Sequence, residues 1–216
     1  MSKFYLAFWA LAFIQLAFTN SAVAETIDVR YKTFYSHTRK LDSEDLNALQ
    51  FAFGFRFVGS DRLCKLNSVV INTPKQNIPV KVTAEQRFSL PSDKVLSLAD
   101  AKVLINTEEP ANKCDMSVQL ETKPEWLKNE YSVQDLQVIY AQYQAFFNEM
   151  GSFLSFMMPQ VQGLRMQFAD QSYSAQVSKD LAIVQGQLAL KNAWLEEKKA
   201  LSLPIKPLRV TAIAGK

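Results

Sequence analysis

The chain is 216 residues long, carries a formal net charge of +3, and is 12% aromatic with only six glycines. That balance excludes the clustered basic footprint of a nucleic-acid binder and the composition of a disordered chain. Even after loss of an N-terminal leader, the length suffices for one sizeable core.

Residues 1–24 have the layout of a secretory signal peptide. Lys3 is the only charge, Phe4 to Phe18 is apolar, and Ala22-Val23-Ala24 is a small-residue exit before Glu25. The run is about 15 residues, short of the roughly 20 that span a bilayer. Cleavage between Ala24 and Glu25 is expected, and the loss of Lys3 leaves a mature chain of charge +2. No cysteine follows the run for lipid attachment, and no later apolar stretch is long enough to span, so the mature chain reads as soluble.

Thr26 to Tyr35 reads as a strand running into a helical turn, and residues 41–46 as polar and helix-compatible. Phe51, Phe53, Phe55 and Phe57 alternate, which puts four rings on one face of a strand and leaves Gly54 and Arg56 on a face that need not be buried. Further strands are expected over residues 63–72 and 78–90, punctuated by Pro74, Asn77 and Pro79, then over 101–105 and 114–121. A helix opens at Ser132, where the acid at Asp135 is close to a capping box. Leu136, Tyr140, Tyr143, Phe147, Met150 and Leu154 share one face, and Pro159 ends the helix, which is expected to cover Ser132 to Met158. Leu164 to Phe168 alternates and is expected to pair with Tyr173 to Val177. Strand character recurs over residues 181–195 and 208–214. Ser89-Leu90-Pro91 returns as Ser202-Leu203-Pro204, and the same shift of 113 carries the Phe51 strand onto the Leu164 strand. The chain thus reads as a single domain over 25–216, with two similar halves joined near 122–131 as a further reading.

Cys64 and Cys114 are the only cysteines. In an exported chain an even count points to a disulfide. A redox motif would need C-x-x-C spacing, and a metal would need ligands that a chain with one histidine, His37, hardly supplies. His37 lies among polar and basic neighbours, as an exposed position would. No serine sits in a nucleophile elbow, and no phosphate loop, dinucleotide fingerprint or calcium loop occurs. Acidic pairs such as Glu44-Asp45, Glu108-Glu109 and Glu196-Glu197 read as solvated surface. The expectation is no enzyme, no cofactor, no metal and no catalytic residue.

The end of the predicted helix is apolar almost all round. Phe146, Phe147, Met150, Phe153, Phe156 and Met157 form a candidate partner surface, because phenylalanine and methionine make adaptable apolar contacts. An interfacial membrane helix would carry a basic polar face, which this one lacks. A protein partner in the cell envelope is therefore favoured over the membrane surface.

Several short motifs, taken in order, resemble an uncharacterised family of short exported proteins of Gram-negative bacteria, a domain of unknown function. They are Tyr31-Lys32-Thr33-Phe34-Tyr35, Leu63-Cys64-Lys65-Leu66, Phe88-Ser89-Leu90-Pro91, Ala99-Asp100-Ala101-Lys102-Val103, Cys114-Asp115-Met116-Ser117, Leu164 to Phe168 and Leu201 to Pro204. The resemblance implies a periplasmic location and a Cys64–Cys114 bond, and it carries no activity. The combined expectation is an α+β fold, mainly antiparallel sheets packed against one long helix, with one disulfide.

Overall fold

The computed structural model describes residues 25–150 and 160–215; of Met150 only the backbone is described. The signal segment through Ala24 lies outside the described residues, as do Phe153, Phe156, Met157 and the expected helical stretch to Met158. Elements in chain order are β1 (Glu25–Arg30), α1 (Tyr31–Thr38), β2 (Leu49–Phe57), β3 (Leu66–Asn72), β4 (Asn77–Val80), α2 (Lys94–Leu98), β5 (Lys102–Thr107), β6 (Cys114–Thr122), β7 (Glu130–Tyr131), α3 (Val133–Met150), β8 (Gln160–Gln167), β9 (Ala175–Ser178), β10 (Leu181–Ile183), β11 (Gln187–Lys191), α4 (Asn192–Glu196), β12 (Leu201–Ser202) and β13 (Arg209–Gly215). The fold is strand-rich α+β, and every strand pair is antiparallel. The helical element is more modest than expected: α3 has 18 described residues.

The sheets are ordered β1-β5-β3-β4, β2-β6 and β11-β8-β13, with small pairs β10-β9 and β12-β7. The phenylalanine strand β2 organises the core. Phe51, Phe53 and Phe55 are buried and Phe57 is half-buried, as their period of two requires. Phe34 of α1 meets Phe53 edge-on at 4.9 Å, and Phe146 of α3 meets Phe51 at 5.8 Å, so two helices share one phenyl face. The disulfide holds the end of this arrangement. Cys114 pairs with Phe57, the Cys64 amide donates to the Phe55 carbonyl at 2.7 Å, and Cys64 is bonded to Cys114 with 6.2 Å between their Cα atoms.

Helix α3 starts where its capping signal predicts. The Asp135 amide donates to Ser132 Oγ at 3.1 Å, and the Ser132 amide donates back to Asp135 Oδ2 at 2.9 Å. Leu136, Ile139, Tyr143 and Phe146 form its buried stripe.

Three expectations are corrected. The run 78–90 is not one strand: after β4 the Thr83 amide donates to the Arg87 carbonyl at 2.7 Å, closing a turn with Gln86 at φ 61°. Beyond it Phe88 exchanges two hydrogen bonds with Phe53 and so lines the free edge of β2. Strand β8 pairs with β11 and β13, not with the segment after Asp170. The run 181–195 is cut by a tight turn, with Gln185 at φ 49° and Gly186 at φ 68°, and then becomes helical in α4.

Candidate functional site

Gly54 decides what covers the second face of β2. A Cβ at this position would stand 3.0 Å from the Gln86 carbonyl oxygen, tight enough that the 83–87 turn would have to shift by a few tenths of an ångström to admit it. The face that need not have been buried is therefore covered at Ala52 and Gly54, while Arg56 stays exposed. The turn is fixed from several sides. The Arg87 amide donates to Thr83 Oγ1 at 3.2 Å, and Gln86 Oε1 accepts from the Leu66 amide at 2.7 Å. It projects Glu85 and Arg87 toward the start of β13.

Arg209, the first residue of β13, is 9% exposed. Its guanidinium meets Glu85 at 2.6 Å and Glu121 of β6 at 2.9 Å, and it donates to the side-chain oxygens of Gln119 and Gln167, each at 3.3 Å. One arginine thus ties the turn, β6, β8 and β13. The Glu121 contact is ionic only: its Oε2 lies near Arg209 Nε but accepts no hydrogen bond, while its other oxygen accepts from Gln50 at 3.0 Å. Burial pushes the Glu121 carboxyl above the ordinary carboxylate range, against the pull of Gln50 and Arg209.

Arg87 is bound differently. Half-buried beside this cluster, it donates to the Ala52 carbonyl at 3.4 Å and has no carboxylate within ion-pair distance among the described residues. Burial and the neighbouring Arg209 lower its pKa. It lines two clefts. One, of about 850 Å³, runs between the turn, Pro124–Leu127 and Lys206–Arg209. The other, of about 1140 Å³, lies toward Phe168–Ser172 and Val184–Gln187. The smaller falls within the range of about 300–1,000 Å³ usual for small-molecule sites.

The residues singled out in the sequence fall elsewhere. Phe146 is 8% exposed and belongs to the core, which corrects its assignment to a partner surface; Phe147 is half-buried against it, with ring centroids 5.7 Å apart. His37 is not exposed as expected. It sits on α1, half-buried, 5.7 Å from the Phe51 ring and 6.1 Å from Phe53, and burial lowers its pKa. Glu109 approaches the two cysteines, but they are bonded to each other, and its oxygens take Arg62 and the Lys65 amide. No described helix is long and apolar enough to cross a membrane.

The fold and the cleft together define a disulfide-clamped, strand-rich α+β domain with an ion-tied groove. The chain belongs to the protein family described as "Protein of unknown function (DUF2987)", whose model matches residues 23–168 and ends just past β8. Comparison with curated proteins and with solved structures finds no match.

Proposed function

We propose that this protein is an exported, periplasmic binding protein without catalytic chemistry, and that its ligand lies in the cleft beside Arg87. The observation that carries this reading is the contrast between two arginines. Arg209 is saturated by two carboxylates and two amides, whereas Arg87 presents a desolvated guanidinium with one long hydrogen bond to two clefts. Leu208, 40% exposed, stands beside it and lines both. An exposed leucine lining the same clefts as a half-buried cation without an ion pair is poor packing but a usable anchor. Export is supported by the pattern of residues 1–24 and by the disulfide, a bond typical of oxidising compartments.

The test is a photo-crosslinking side chain at Leu208 in living cells, against one at Phe147. Capture of a cell-envelope partner or small molecule is expected from position 208, and Arg87→Glu should abolish it. Capture from 147 alone would move the site to the end of α3 and sink the cleft.

A further inference from the structure

We propose that the cleft of about 850 Å³ takes an alkyl-chain carboxylate, with its head group on Arg87 and its chain along Phe88, Leu127, Pro207 and Leu208. This assignment rests on the binding role proposed above and names the chemistry of its ligand.

The charge argument comes first. Lys81, Arg87, Lys206 and Arg209 face this cleft with two carboxylates, Glu85 and Glu121. Both carboxylates contact Arg209, and none of the other three cations has an ion-pair partner among the described residues. The cleft therefore offers positive charge to an anion. A planar guanidinium matches a carboxylate with two parallel hydrogen bonds, which lysine cannot do.

The walls select the rest of the molecule. Beyond the cations the lining is largely carbon, from Ala52, Phe88, Pro124, Leu127, Pro207 and Leu208. Four of the backbone donors there are taken. Phe88 donates to Phe53, Leu127 to Pro124, Leu208 to Gln167 and Arg87 to Thr83 Oγ1. Pro124 and Pro207 have no N–H. An extended peptide must satisfy its own carbonyls as well as its head group, and burying any of them unpaired is costly. A hydrocarbon chain has none to satisfy.

The experiment is calorimetric titration of the purified protein with dodecanoate, dodecan-1-ol and the tripeptide acetyl-Leu-Leu-Leu with a free carboxylate. Dodecanoate is expected to bind one to one, with the alcohol weaker by about tenfold or more for want of the charged head group. Arg87→Gln should weaken dodecanoate by a similar factor and leave the alcohol unchanged, and Leu208→Asp should abolish both. Equal binding of acid and alcohol, or no effect of Arg87→Gln, overturns the carboxylate assignment. Tighter binding of the tripeptide overturns the alkyl chain. Silence from all three probes, while capture from position 208 persists in cells, overturns this ligand class and leaves the binding role standing; silence with no capture removes both.

Discussion

The Tyr143 hydroxyl donates to the Val210 carbonyl at 2.8 Å from a wholly buried position, joining α3 to β13 through the middle of the core. Thr122 Oγ1 lies 3.2 Å from the same hydroxyl, so one phenol serves the ends of two strands that share no ladder. Tyr143→Phe leaves both groups buried and short of a partner. The expected loss is about 1–3 kcal/mol in urea denaturation at neutral pH.

The same tyrosine sets an alkaline limit. Burial pushes the Tyr143 hydroxyl far above its ordinary value of 10.0. The folded state then holds a proton that the unfolded state releases. Stability from this group is full below the ordinary tyrosine pKa and declines as pH rises past it. Wild type should lose stability above about pH 10, and Tyr143→Phe should show a shallower decline over the same range. Equal slopes in the two proteins would contradict the assignment.

Removing Arg209 takes away the one cation in ion-pair contact with Glu85 and Glu121 among the described residues, leaving only the more distant Arg87. Arg209→Met should cost about 3–5 kcal/mol at pH 7, as breaking a buried pair does. Glu121, already raised by burial, contributes stability that is present below the ordinary carboxylate range and lost as pH rises through its folded value. Acidification should therefore recover part of the Arg209→Met loss, and Glu121→Gln should flatten the dependence just above that range. Denaturation midpoints across pH measure both.

Reduction of Cys64–Cys114 opens a loop of 50 residues. The double substitution to alanine should lower stability by about 2–4 kcal/mol. Thiol labelling of the unfolded, unreduced protein should find no reactive cysteine; stoichiometric labelling would contradict the bond.

Gly54→Ala places a methyl group 3.0 Å from the Gln86 carbonyl. The turn must retreat, and overpacking of this kind costs about 1–3 kcal/mol. Because the turn carries Arg87, dodecanoate affinity should fall with stability. An unchanged affinity in a destabilised variant would place the ligand away from the turn.

What could be read from the sequence was whatever repeats or caps locally. Phe51, Phe53 and Phe55 announce a strand by period alone, Ser132 and Asp135 announce a helix start, and two cysteines leave one pairing. The cleft had no such signature. Glu85, Glu121 and Arg209 are separated by long stretches of chain and meet only because the end of β6 lies beside the start of β13. The nearest local signal was the polar break at Thr83-Ala84-Glu85-Gln86-Arg87 within an alternating run. Its meaning depends on Gly54, a residue of another strand. The ring of Phe146 misled for the converse reason: apolar excess on a helix is the same whether a partner or Phe51 covers it.

The ion cluster also orders events in time. Glu85 and Glu121 precede the arginine that meets them both, Arg209, by 124 and 88 positions. A ribosome adds both acids well before this cation exists. A growing chain therefore carries both acids without Arg209, and the contact that ties the turn to β6, β8 and β13 can form only once that residue has been added.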